Sequence, residues 1–382
     1  MSTSGDCSGP RFLVIVNSIP PYGPELANVL AGPDSFTSRF RYQQKYAPTI
    51  TDVTALAGKN GTVVLRDYAT GDFMPIRLCR TSNVRLVGDI VFLTAIMGEI
   101  PAIGQGSRRD EQLHAFNDAV SAQLGNFENT KHGDLTNLIL FEDGRVHRTV
   151  ADWKIASTDD QLASWGNCTI AMAEKFGLSA VDYYRIVYLQ DAQGKDIQYK
   201  PDVKGGGYRI RGTATYSLEV LQRVFTGKTG DSSIEDDRFM ELTTNSDDLI
   251  VVRGRQAVLG KYDVLHFYIR QVGVTTQSFA QIFLSLTGGT RTALSRVSPL
   301  ELSVVIRPPL PIRIRSIVAA CVFLTLFVVY LLFADPIAAR FPKDWHVTAA
   351  GVDKFCTIGM IVVATWAGDL ARDLSKRLKF GT

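Results

Sequence analysis

Leu265-His266-Phe267-Tyr268-Ile269-Arg270 alternates apolar and polar side chains at every step. Successive side chains of a β-strand point to opposite faces, so a period of two marks a strand with one buried face and one wet face. The pattern recurs on both sides of this stretch. Tyr216, Leu218 and Val220 alternate with Thr215, Ser217 and Glu219; Ala280, Ile282, Leu284 and Leu286 share one face; Leu300, Leu302, Val304 and Ile306 lie opposite Glu301 and Ser303. Tyr183 to Leu189, Ile197 to Val203 and Leu249 to Val252 add three further candidate strands. Strands of this length separated by polar turns predict an antiparallel β-sandwich.

Toward the N-terminus the strands are shorter. Phe12 to Val16, Thr62 to Arg66, Phe73 to Leu78, Asn83 to Val87 and Ile90 to Thr94 are candidates, and Gly88-Asp89 suits a two-residue hairpin. This spacing predicts a small barrel-like or curled sheet. Leu113, Phe116, Val120 and Leu124 fall on one face of a helix predicted over 109–124. Leu138 to Phe141 and Arg148 to Trp153 read as two more strands. A second helix is expected from a cap at Ser157-Thr158-Asp159 to Phe176, weakened at Gly166.

Toward the C-terminus the pattern changes. Ser316 to Phe333 is eighteen residues without a charge. As a helix it is about 27 Å long, close to the hydrocarbon thickness of a bilayer. The alternative is a central helix of a large core, but the run keeps no polar stripe and its flanks are charged. Phe355 to Gly368 is a second uncharged run of fourteen residues. The two predict a transmembrane hairpin, with one span plus an interfacial or re-entrant segment as the alternative. Arg313 and Arg315 precede the first run; Arg372, Lys376, Arg377 and Lys379 follow the second, where they meet lipid headgroups. The intervening loop has three basic and three acidic residues, so the excess of positive charge lies outside both ends and places both ends in the cytoplasm. Ala364 with Gly368, and Ala367 with Ala371, are pairs of small residues one helical turn apart, the spacing of a helix–helix contact in lipid.

The resulting fold class is mainly β (α+β). Residues 1–155 form a β-rich domain with one helix, 156–307 a helix plus a β-sandwich, and 308–382 a proline linker and a two-helix membrane anchor. From Arg313 onward nine Lys/Arg face five Asp/Glu, a net of +4; the remaining 32 basic and 33 acidic residues give −1. Nucleic acid is therefore not an expected partner of the body. The five cysteines have no C-x-x-C spacing and the histidines no ligand spacing, so neither a metal nor another cofactor is expected.

Cys168, near the front of the second predicted helix, is the best nucleophile candidate, with His266 as its possible base. A packed structural cysteine is the commoner outcome. Gly227-Lys228-Thr229 mimics the end of a phosphate loop, but Gln222 stands where that loop needs a glycine.

The function expected is that of a non-enzymatic protein at a bacterial inner membrane. It binds a ligand or protein partner through its cytosolic β domains and associates through its membrane helices. Sensor–effectors of anti-phage defence share this layout, an analogy of architecture with no motif behind it. The alternatives are a tethered enzyme using Cys168 and a non-catalytic scaffold.

Overall fold

A computed structural model describes residues 12–19, 23–124, 138–225, 239–287 and 299–308, apart from short stretches at 48–49, 51, 68–69, 142–143, 152, 154–157, 180, 202–205, 213, 259–261, 273 and 275–276. It also describes residues 321, 322, 325, 328, 354 and 357–359. The chain is mainly β, with curled half-barrel sheets.

The first sheet contains β1 (Phe12–Ile19), β2 (Thr37–Gln43), β3 (Asn60–Asp67), β4 (Phe73–Val87), β5 (Ile90–Met97) and β6 (Leu138–Phe141) in the order β2-β5-β4-β3-β1-β6. β1 runs parallel to β3, and the other pairs are antiparallel. The sheet is mixed and ends in two edges, so of the two expected forms, barrel-like or curled, it is a curled sheet that does not close. Leu13, Val14, Ile15 and Val16 are all buried, so β1 is covered on both faces. That is why this stretch is continuously apolar and shows no alternation. β5, with one wetter face, alternates throughout.

Two expected strands, Phe73 to Leu78 and Asn83 to Val87, are one fifteen-residue strand, β4, with an irregularity between Thr81 and Asn83. Gly88, at φ 62°, supplies the left-handed backbone of the β4–β5 turn.

Among the described residues of the β-rich body, four α-helices accompany the sheets. They are α1 (Gly23–Ala31), α2 (Gly106–Leu124), α3 (Arg145–Ala151) and α4 (Thr158–Lys175). The α3 segment corrects the expectation of a strand at Arg148 to Trp153. Val146 and Val150, four residues apart, are both buried, and Trp153 packs beyond the helix with its ring 6.1 Å from that of Phe116. α4 continues through Gly166, whose carbonyl accepts a hydrogen bond from Arg223 Nη1 at 3.0 Å.

The second half is a sandwich-like pair of sheets. Its strands are β7 (Tyr183–Gln190), β8 (Tyr208–Arg211), β9 (Thr215–Arg223), β10 (Phe239–Thr244), β11 (Leu249–Arg253), β12 (Arg255–Ala257), β13 (Tyr262–Gln271), β14 (Ser278–Thr287) and β15 (Leu300–Arg307). One sheet has the order β12-β10-β14-β15-β8 and the other β11-β13-β9-β7. The expected wholly antiparallel arrangement is corrected at β15 and β8, which pair in parallel. Ile197 to Val203, expected as a strand, gives only an isolated bridge from Lys200 to Gly207 at its described residues.

The alternating rows are buried as anticipated. Tyr216, Leu218 and Val220 join Leu265, Phe267 and Ile269, Ala280, Ile282 and Leu284, and Leu300, Leu302, Val304 and Ile306 in one hydrophobic cluster. Each large apolar side chain so buried contributes about 1.5–3 kcal/mol.

β11 and β12 are consecutive but belong to different sheets. The chain crosses at Gly254, where an added Cβ would lie 2.7 Å from the Leu242 carbonyl oxygen and 2.6 Å from Val251 Cγ1. The Gly254 carbonyl accepts from Leu242 N–H at 2.6 Å, so only glycine lets the two backbones approach this closely.

Among the described residues, no helix is long and apolar enough to cross a membrane. Cys321, Val322, Thr325 and Val328 are helical, as are Lys354 and 357–359; the rest of the two uncharged runs lies outside the described residues.

Candidate functional site

Two polar clusters stand out against this framework. The first lies at the C-terminal end of α1, where unpaired helix carbonyls concentrate negative charge. Arg77 reaches it from β4 and is fully buried. Its Nε donates to Gly98 O at 2.8 Å. Nη1 donates to Val29 O at 2.7 Å and Gly32 O at 2.6 Å, and Nη2 to Pro33 O at 2.9 Å and Asp34 Oδ1 at 3.0 Å. All five N–H groups of the guanidinium are thereby used. Burial, together with neighbouring Arg185, holds Arg77 down to about 9 against the opposing pull of Asp34.

Arg185 enters from β7 and is also buried. It donates to Leu30 O and to Asp34 Oδ1, both at 3.4 Å, and to Gln161 Oε1 of α4 at 3.5 Å. One carboxylate thus holds an arginine from each half of the fold. Nothing in the alternation of β4 or β7 pointed to this joint. The one signal was the basic residue itself, Arg77, set between Ile76 and Leu78. Both guanidiniums are committed to protein acceptors, so the cluster joins the parts of the fold.

Cys168 lies close to this joint. It is the eleventh residue of α4, three turns from the N-terminus, which corrects its expected place at the front of the helix. The helix dipole that would lower its pKa acts only within the first turn. The thiol is fully buried, and burial pushes its pKa up, with Arg185 opposing. Cys168 therefore lacks both the thiolate and the access that a nucleophile needs. Cys79 is similarly buried, its thiol pushed up to about 12.

The second cluster is on the outer face of the sheet formed by β11, β13, β9 and β7. Leu265 and Phe267 turn inward, so His266 between them turns outward, and its side chain is 44% exposed. It is paired across the ladder with Glu219 of β9, whose Oε2 lies 3.6 Å from His266 Nδ1. Tyr188 of β7 donates its hydroxyl to the same carboxylate. That hydrogen bond is the largest cause of a rise in the Tyr188 pKa to about 12; the charge on Glu219 adds to it. Imidazole, carboxylate and phenol thus line three adjacent strands.

The structure does not bring Cys168 and His266 together. α4 covers the Arg223 end of this sheet, where Cys168 sits beside Tyr183 and Arg185. His266 occupies the uncovered part. Exposed apolar side chains occur along β13 and β11: Tyr262 is 54% exposed, Val264 46%, Ile250 51% and Val252 59%.

Among the described residues no group of His, Cys, Asp and Glu is arranged to hold a metal. Ala364, Ala367, Gly368 and Ala371, and the basic residues Arg313, Arg315, Arg372, Lys376, Arg377 and Lys379, lie outside the described residues. No family model matches the chain, and no curated protein matches it at a significant level.

Proposed function

We propose that this protein is a membrane-anchored binding protein. Its β-rich body engages a ligand or protein partner on the cytoplasmic side of a bacterial inner membrane, and a C-terminal helical hairpin holds it there. The observation that carries this reading is the uncharged run from Ser316 to Phe333, flanked by Arg313 and Arg315 and preceded by the stiff Arg307-Pro308-Pro309-Leu310-Pro311 linker. Two features support a helix that faces lipid. Thr325 Oγ1 donates to Cys321 O at 2.8 Å, as a helical threonine does, and Val322 and Val328 are left 46% and 41% exposed. Burial of Cys168 speaks against the tethered-enzyme reading, and the exposed Ile250, Val252, Tyr262 and Val264 support binding. An effector role in defence follows from this layout by analogy alone.

The test is topology in the full chain. Reporters at the N-terminus and after Thr382 should both read cytoplasm, a reporter at Lys343 should read the far side, and the protein should stay with membranes through an alkaline carbonate wash. A cytoplasmic reading at Lys343 overturns the hairpin, and release by the wash overturns the anchor.

A further inference from the structure

Along the β7–β9 ladder, β7 carries one residue more than its partner. Ile186 pairs with Val220 and Tyr188 with Glu219, so Val187 is the extra residue of a bulge. Ile186 and Val220 are buried on the inward face. Without the extra residue Tyr188 would share that face, because strand faces alternate. The bulge turns it outward onto Glu219, and bulges that re-aim a side chain recur beside functional sites.

From the bulge onward, the register sets six half-buried side chains in two rows. Tyr188, Glu219 and His266 form one row, and Gln190, Ser217 and Tyr268 the next. Ser217 has the shortest side chain of the six, so the second row dips between Gln190 and Tyr268. Glu219 stands beside this notch on β9. Asp196 extends the second row through its bridge to Gln190, whose Nε2 donates to Asp196 Oδ1 at 2.9 Å. The raised Tyr188 pKa comes first from its hydrogen bond to Glu219 and then from burial, with the charges of Glu219, Asp196 and Tyr268 adding to it. These groups therefore act on one another across the patch.

The patch lacks a cation. Glu219 is only 16% exposed, yet its partners are an imidazole and a phenol. Arg253, opposite Tyr268 on β11, and Arg270, two residues further along β13, are exposed and make no ion pair with Glu219. A carboxylate drawn this far from water favours a positive charge beside it. The described residues offer no third acidic, histidine or cysteine ligand for a metal. Tyrosine rings attract organic cations. The oxygens of Glu219, Ser217 and Tyr188 supply three acceptors, matching the three N–H donors of a primary ammonium.

We infer that the notch over Ser217 binds a small molecule carrying a primary ammonium group. Glu219 meets the charge, Ser217 and Tyr188 accept the remaining N–H groups, and the Tyr268 ring flanks the carbon next to the nitrogen. This names a ligand class for the binding body proposed above and rests on that part of the reading, not on the anchor. Failure of the site leaves the topology test untouched, and failure of the anchor leaves the site standing.

The experiment is isothermal titration calorimetry on the full chain in detergent at neutral pH, with n-butylamine as the probe. The wild type should bind it saturably at one site, and 1-butanol should not bind. Tetramethylammonium, which has no N–H, should bind about tenfold more weakly or less. Glu219→Gln should weaken butylamine by about tenfold or more, and Tyr268→Ala by about threefold to tenfold. Ser217→Leu fills the notch and should abolish binding with unchanged circular dichroism; it decides the matter if Glu219→Gln fails to fold. No saturable binding to the wild type overturns the inference. Equal binding of 1-butanol overturns it by showing an apolar site, and equal binding of tetramethylammonium overturns the primary amine. Binding that Ser217→Leu leaves unchanged places the amine elsewhere and overturns it as well.

Discussion

The arginine joint and the outer-face array use the same chemistry in opposite settings. Each has one carboxylate shared by two partners: Asp34 by Arg77 and Arg185, Glu219 by His266 and Tyr188. At the joint both cations are buried and Arg77 has a protein acceptor for every N–H. On the outer face His266 is nearly half exposed. Position decides what the charges do. A charge taken out of water must be satisfied on the spot, so the buried cluster is spent on holding the fold. A side chain that keeps its contact with water, as His266 does, costs little to leave unpaired.

The largest expected effect tests the buried side. Arg77→Met strands the carbonyls of Val29, Gly32, Pro33 and Gly98 and leaves Asp34 with Arg185 alone. It should cost about 3–5 kcal/mol in urea unfolding. A loss under about 1 kcal/mol would erase the distinction between the two clusters.

Cys168→Ala probes the margin of the joint at a smaller scale. Removing a fully buried sulfur should cost about 1–2 kcal/mol and leave membrane association unchanged. In the folded wild type, Cys168 should resist alkylation as read by mass spectrometry. Rapid labelling would show an accessible thiolate and return the residue to catalysis.

The smallest effect belongs to the exposed side. Glu219→Gln should cost only about 0.2–1 kcal/mol. It should also bring the Tyr188 titration down from about 12 toward the ordinary 10, as followed by ultraviolet difference spectroscopy. The sign follows from linkage. A tyrosine whose pKa rises on folding contributes stability below its unfolded value, and that contribution is lost as pH climbs through about 12. The variant should therefore lose less stability than the wild type between pH 10 and 12.

What the sequence reveals follows the same division. Leu265 to Arg270 and Leu300 to Ile306 were legible because one wet face preserves alternation. Thr37 to Gln43 was not read as a strand, because Phe40 and Tyr42, alternating with Arg39 and Arg41, are its only apolar residues and only Tyr42 is buried. Val146 and Val150 were misread because two apolar residues in a short span fit either period. His266 could be named but not its partners, since Glu219 and Tyr188 come from strands 47 and 78 residues earlier in the chain. Arg77 escaped altogether. Its meaning comes from carbonyls at 29, 32, 33 and 98, and backbone oxygens have no letter in a sequence.

Gly254 has a mechanical consequence. One residue separates a strand of one sheet from a strand of the other, so β11 and β12 form a crank with no slack. Inserting a single residue there would turn every side chain of β12 to the opposite face or push β11 along its partner, because strand faces alternate with a period of two. A load applied to the outer edge of β11 therefore reaches both sheets through one peptide unit. Among the described turns of the sandwich, this corner should tolerate length changes least.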